Sequence, residues 1–459
     1  MRLSNATIEQ CPIGIATPQY DRDQGVGIVH FGLGAFHRAH QADYVDRCLS
    51  DGERDWMIAG VSLRSDAVQR QLEPQDGLYT LVQKGADSRV IGAVREALVA
   101  GQDDARILHR IAAPECRIVS FTVTEKGYCR GADGTLNREL ARQSFYPLLG
   151  KGMRRRREGG LPGITLLSCD NLSDNGRQLR RLLGEWLEQD DPDTARWLAA
   201  ECTAPNTMVD RIVPASADAD LDRLEQQTGL RDEAAVFTEP FSQWVIEDDF
   251  AGPVPGWAKH GVELVADVAP YETAKLRMLN GAHSALAYLG LARGHTFVHE
   301  AVADEPLRAL IERLMLHEAA PTIDRATGQD LETYAARLIE RFANPALEHR
   351  LAQIAMDGSE KVPQRWLDTL AWQAARGTSC PALLTALAGW LRHLRGEAGP
   401  VNDPRGAELA ALLAAHSGET AVRALLVDGP IGAAWQPTED DVTAIARTLG
   451  NLPELPPAG

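Results

Sequence analysis

The hydrophobic positions fall into two regimes along the chain. Up to about residue 270, short runs that are apolar almost without interruption alternate with longer amphipathic stretches. Residues 27–31, 56–61, 117–123 and 163–168 are such runs, each followed by polar residues or glycine. Strands covered on both faces read this way, and they belong to parallel sheets flanked by helices. Residues 262–266 are expected to form the last strand. Beyond 270, Leu, Ala, Arg and Glu recur at helical spacing, which predicts helices over 271–292, 300–319, 329–342, 345–356, 381–395 and 405–416. The expected architecture is an α/β domain with a mostly parallel sheet over 1–268, then a mainly α-helical domain over 269–459. No internal repeat is present.

The strand expected at 28–31 runs straight into Gly32-Leu33-Gly34-Ala35-Phe36-His37, and a helix is expected from 40 to 50. This is the setting of a dinucleotide turn, in which a tight bend lets the backbone approach a pyrophosphate at a helix N-terminus. His37 stands where such a motif has its third glycine, so taken alone the segment also fits a plain strand-to-helix turn. The second strand ends Ser62-Leu63-Arg64 without the usual ribose-binding acid, and Asp66 lies just beyond. Arg64 suits either an adenine ring or a 2′-phosphate, which leaves NAD against NADP open on chemistry alone.

Residues 271–283, YETAKLRMLNGAH, carry the most chemistry. On a regular helix Lys275, Asn280 and His283 fall within an arc of roughly 140°. Leu276, Leu279 and Leu286 cover an overlapping face. Hydride transfer from an alcohol needs a base for the hydroxyl proton and donors for the developing oxyanion. A desolvated lysine can be that base, and an asparagine amide that donor. By itself the spacing also fits a surface helix. Tyr271 and Lys275 match the Y-x-x-x-K pair of short-chain dehydrogenases, but those chains are far shorter and carry a different glycine turn. His295 and His299, with Glu300 beside them, have the spacing of a zinc pair, but no third ligand stands out and no metal is expected. His37 and His40 read as structural or cofactor contacts. No G-x-S-x-G supports serine hydrolase chemistry.

Composition narrows the classes. The 459 residues carry 47 Lys plus Arg against 64 Asp plus Glu, a net charge of −17, so a phosphate backbone is a poor partner. A 44% hydrophobic and 24% charged composition is globular. Seven cysteines without a C-x-x-C fit a reducing compartment. With no signal-like N-terminus and no apolar run near 18 residues, the expected location is the cytoplasm, without a membrane span. The basic run 154–157 reads as a solvated helix end.

The stretches 29–45, 76–86, 120–129, 168–171, 206–215, 239–250, 275–290 and 354–367 together resemble the polyol-specific long-chain dehydrogenases, the group of mannitol 2-dehydrogenase, D-arabinitol dehydrogenase and fructuronate reductase. They spread over most of the chain in the family's order. The resemblance implies a Rossmann-type N-terminal domain, a helical C-terminal one, a site between them and no zinc. It implies Lys275 as general base, Asn171 and Asn280 on the reacting oxygen, His283 positioning substrate and Glu272 relaying the proton. Asp210 and Lys361 match substrate contacts. Gly32, Gly34, Ala35 and Phe36 match the cofactor turn, and Thr124 and Glu125 the nicotinamide ribose side. NAD is the implied cofactor, with NADP not excluded. The implied partner is a small sugar acid or polyol, and the assembly a monomer or small homo-oligomer. Mannitol dehydrogenases of this family have an arginine eight residues before the matched lysine, where this chain has Gln353. The runs 124–129, 239–250 and 353–366 look closer to fructuronate reductases. A sugar acid needs a cation for its carboxylate, and Lys361 or Arg365 fits. Neutral polyols are the alternative substrates, and a non-catalytic dinucleotide sensor the alternative class.

Overall fold

The computed structural model of the chain describes residues 1–429, 431 and 435–451. It divides into two compact units, Met1–Ala269 and Pro270–Gly459.

The first unit contains eleven strands: β1 Val26–Phe31, β2 Met57–Ser62, β3 Tyr79–Gln83, β4 Arg89–Ile91, β5 Val94–Val99, β6 Ile118–Phe121, β7 Thr165–Ser168, β8 Thr207–Asp210, β9 Val236–Thr238, β10 Gln243–Glu247 and β11 Glu263–Val265. Its main sheet runs β5-β2-β1-β6-β7 and is parallel throughout. The four continuous apolar runs form β1, β2, β6 and β7, all but the last residue of β2 buried. The fifth strand, β5, is an edge strand, and Arg95 and Glu96 break its apolar run. Residues 262–266 do form a strand, but β11 pairs with β10 in a separate three-stranded sheet. There its central Leu264 is 37% exposed.

The strand order reverses between β1 and β6, and in doubly wound sheets ligands bind at the carboxyl ends of strands at such a switch point. Those ends are joined directly, since Thr122 N–H donates to Phe31 O at 2.9 Å. Beneath them Phe31, Phe121 and Phe145 pack ring against ring. The basic run proves to be partly internal. Arg156 is buried and donates to the carbonyls of Ile111, Ala113 and Pro162, while Arg154 pairs with Asp191.

The second unit is helical. Gly281–Ala292 is buried on nearly every side and packs against Pro381–Leu394. A Cβ on Gly389 would lie 2.7 Å from Leu289 Cδ2, so glycine sets this close crossing. Two expected helices are interrupted. The 300–319 stretch changes helix at Asp304, ahead of Pro306. Residues 345–356 reduce to a 3-10 turn and a four-residue helix, separated by left-handed Glu348 at φ 45°.

Buried Glu318 accepts the Ala382 and Leu383 N–H groups, both at 2.8 Å, and so caps Pro381–Leu394. Burial lifts its pKa to about 7 against those bonds. A carboxyl raised in the folded state makes the fold less stable as pH rises from the unfolded value, near 4.5, through 7. The stability of the native chain relative to a Glu318→Gln variant is therefore expected to fall by about 3 kcal/mol between pH 4.5 and 8. Urea unfolding of both proteins at the two pH values checks this, and a pH-independent difference contradicts it.

Candidate active site

In the first unit the site is built on the carboxyl ends of β1, β6 and β7. Gly32 leaves β1 at φ 101°, and Gly34 N–H closes the turn on Gly32 O at 2.6 Å. A Cβ on Gly32 would meet Thr122 O at 2.1 Å, so only glycine lets the two strand ends come this close. Gly34 is exposed, and a Cβ there would find only Gly32 O, at 3.8 Å. Ala35 and Phe36 are half-buried and open the short helix Ala35–Ala39. This open, side-chain-free face fits a dinucleotide phosphate, and Gly32, Gly34, Ala35 and Phe36 are the residues that would hold it.

His37 turns inward instead. Its ring stacks on His30 at 3.4 Å and both its nitrogens are buried. His30 bonds to Ser120 Oγ and Thr122 Oγ1, both at 2.8 Å, and Thr122 Oγ1 donates to Gly32 O. Burial pushes His30 down to about 3, so this brace under the turn is neutral. His40, likewise neutral through burial, bonds to Gln243 O. Arg64 is exposed just beyond β2, and Asp66 is paired with Arg70 at 3.1 Å.

Thr124 follows β6 at φ 66° and ψ 162°, a conformation that costs a β-branched residue about 1–3 kcal/mol. It is exposed, as is Glu125. Asp170, after β7, holds this segment: its two oxygens accept Val123 N–H at 3.0 Å and Thr124 N–H at 2.8 Å, and Tyr128 OH donates at 2.9 Å. Asn171 comes next and is exposed. The Asp170 carbonyl accepts from Asn175 Nδ2, which also bonds to Thr207 O and so ties β8 and its terminal Asp210 to the same loop. Asp210 is buried.

In the second unit Lys275–Asn280 is a π-helix between Ala269–Ala274 and Gly281–Ala292. Gly281 N–H donates to Leu276 O, five residues back. The wider turn moves residues five apart towards a common side, so Lys275 and Asn280 lie closer in azimuth than a regular helix allows. Leu279 and Leu286 are buried as expected, whereas Leu276 is only half-buried. Glu272 stands one turn before Lys275 and is half-buried.

A second π-helix, Pro363–Leu367, fastens onto this segment. Arg365 Nη1 donates to Asn280 O at 3.2 Å and Ser284 Oγ at 2.7 Å, and Trp366 Nε1 donates to Gly281 O at 3.1 Å. Burial lowers Arg365 to about 10. Lys361, one turn earlier, donates to Met356 O at 2.6 Å and lies 3.8 Å from Asp357; burial, then the Arg365 charge, lowers it. His283 is buried with Nε2 unbonded among the described residues. Burial, then His349, Arg341 and Arg365, holds it far below its usual range, so it is neutral. The residues with the spacing of a zinc pair have local roles. His295 bonds to Asp304 at 3.1 Å, and Glu300 accepts the Thr296 and Phe297 N–H groups at the start of its helix.

Sequence reasoning named Asn171 but passed over Asp170, and it found neither His349 nor Arg341. Asp170 had a signal, a carboxylate directly ahead of Asn171 at the end of a buried strand. Arg341 and His349 come from a different helix and a loop, and nothing in their spacing ties them to His283.

A dinucleotide-type turn at the switch point of a parallel sheet, followed by a helical unit carrying Lys, Asn and His on one segment, defines a Rossmann-type oxidoreductase. The model of the mannitol dehydrogenase Rossmann domain matches residues 26–259, and that of the mannitol dehydrogenase C-terminal domain residues 267–434; the chain belongs to the mannitol dehydrogenase family. An oxidoreductase of Escherichia coli (strain K12) named YeiQ is 43% identical over 438 residues, 90% of each chain. D-mannonate oxidoreductase of the same organism is 42% identical over 445 residues, 92% of each. Mannitol 2-dehydrogenase of Pseudomonas fluorescens, solved as a ternary complex with NAD and D-mannitol, is 34% identical with a TM-score of 0.80, covering 98% of this chain and 96% of that one. Among the described residues no helix is long and apolar enough to cross a membrane.

Proposed function

We propose that the chain is an NAD-dependent, zinc-independent oxidoreductase interconverting a secondary alcohol of an open-chain polyol or aldonate with the matching ketose or keto-uronate, with D-mannonate and D-fructuronate as the preferred pair. The observation that carries the choice of an acid is the setting of His283. In a chain of net charge −17, Arg365 stands beside this neutral imidazole, with Lys361 one turn from Arg365. Such a patch attracts an anion. The 42% identity to D-mannonate oxidoreductase supports the same reading.

Bound NADH supplies the hydride. Gly32, Gly34, Ala35 and Phe36 carry the phosphates, Arg64 the adenosine side, and Thr124 and Glu125 the nicotinamide ribose. Lys275 gives its proton to the reacting oxygen in reduction and takes it back in oxidation, and Glu272 relays it onward. Asn171 and Asn280 donate their amide N–H groups to that oxygen as charge develops on it. Neutral His283 positions a substrate hydroxyl and Asp210 accepts from another. Lys361 and the Arg365 donors not committed to Asn280 and Ser284 meet the carboxylate.

A panel of fructuronate, tagaturonate, fructose and xylulose with NADH tests this. The acids are expected to be preferred roughly 10- to 100-fold in kcat/KM, the worth of a charge-assisted bond. Chelation is expected to leave turnover unchanged. The likeness to the mannitol 2-dehydrogenase complex with NAD and D-mannitol favours a second reading, a neutral polyol, and a preference for fructose would establish it. Loss of NADH with none of the four would leave the sensor reading.

A further inference from the structure

We infer that Asp170 is a positioning residue that sets two parts of the site at once, the Thr124–Glu125 segment for the cofactor and Asn171 for the substrate oxygen. This rests on the roles proposed above for those residues. Two successive backbone N–H groups after a strand, one on a residue with positive φ, form a concave donor pair suited to an anion. Here the anion is internal. The Asp170 carboxylate takes one N–H on each oxygen, from Val123 and Thr124. Tyr128 OH adds a third bond and is itself in contact with Ser168 Oγ at 2.5 Å, both groups fully buried. Ser168 is the last residue of β7 and Val123 lies two residues past β6. The carboxylate therefore ties the two strand ends together beyond the last ladder bond.

The tie has two consequences. It holds Thr124 in a conformation that threonine rarely adopts, fixing where Glu125 stands. It also fixes the backbone from which the next side chain, Asn171, projects. Neither Asp170 nor Tyr128 touches substrate in this account; both act through their neighbours. An amide at position 170 keeps the size but points an NH2 group at one of the two backbone donors, so the segment must move.

The test compares Asp170→Asn, Asn171→Ala and the double variant by NADH fluorescence titration, kcat and thermal melting. Asp170→Asn is expected to weaken NADH binding and lower kcat, each on the order of 10- to 100-fold, the effect of a small misplacement. The double variant is expected to have the kcat of Asn171→Ala alone and the NADH affinity of Asp170→Asn alone. A merely structural role lowers the melting temperature and leaves both readouts native in the folded fraction, which overturns the inference while Asn171→Ala still shows its own loss of kcat. An Asn171→Ala variant of native kcat removes the role on which the inference rests and overturns it with that reading. Should Asp170→Asn not fold, Tyr128→Phe decides. It keeps both backbone donors and is expected to weaken NADH binding roughly 2- to 10-fold, the worth of one bond; native affinity in that variant overturns the inference.

Discussion

Replacing Lys275 by alanine is expected to lower kcat at least ~100-fold, the lower bound for losing general acid–base catalysis, while NADH binding stays nearly native. The separation follows from where the residue sits. Lys275 begins the π-helix of the second unit, whereas the residues assigned to the cofactor lie at strand ends of the first. On the proposed roles, removing the ammonium leaves the reacting oxygen with amide donors and no side chain to protonate it. Stopped-flow reduction in both directions, with NADH affinity measured alongside, checks the result. Near-native turnover would transfer the proton step to another group. Loss of NADH binding together with kcat would mean that the lysine supports the fold rather than the chemistry.

The second large effect is expected at the glycine turn. A methyl group on Gly32 lands 2.1 Å from Thr122 O and 2.7 Å from its carbonyl carbon, at a backbone φ of 101°. The obstacle is main chain on both sides, so no rotamer relieves it. Gly32→Ala is expected to cost about 1–2 kcal/mol for the left-handed conformation and about 1–3 kcal/mol for the overlap. Part of that is released by opening the turn away from β6, which spoils the proposed cofactor cradle. NADH affinity should then fall by an order of magnitude or more, since each 1.4 kcal/mol is about tenfold. Titration with NADH and urea unfolding measure the two parts separately, and a variant with native affinity would remove this turn from the cofactor site.

The core of the first unit was legible because burial on both faces leaves an unbroken apolar record. β1, β2, β6 and β7 have that record, and β5 does not, because an edge strand in the same sheet can carry Arg95 and Glu96. Apart from β11, the strands of the two small sheets were missed since three- to five-residue strands offer too few positions for a period to show. In the second unit the long helices were legible, but their interruptions were not, and residues 345–356 carry helical composition around a left-handed Glu348. The candidate residues on one local segment, Lys275, Asn280 and His283, could be picked out together. Those contributed by distant segments, such as Arg341 and His349 around His283, needed the fold. Asn171 was reached through the family resemblance, while Asp170 beside it was overlooked because its bonds run to a strand end 46 and 47 residues earlier in sequence.

The wide turn at Lys275–Asn280 has a consequence for any attempt to transplant or shorten this segment. Five-residue bonding acts as a phase correction between the helix that ends at Ala274 and the one that begins at Gly281. Deleting a single residue inside it would restore ordinary winding with the downstream phase kept, whereas straightening it with every residue retained would rotate everything downstream by about 100° relative to Lys275. His283 would swing off its bearing although every functional side chain remained in the chain. The spacing of the lysine and histidine is thus meaningful only together with the defect between them, and a graft onto a straight helix would carry the letters of the site without its geometry.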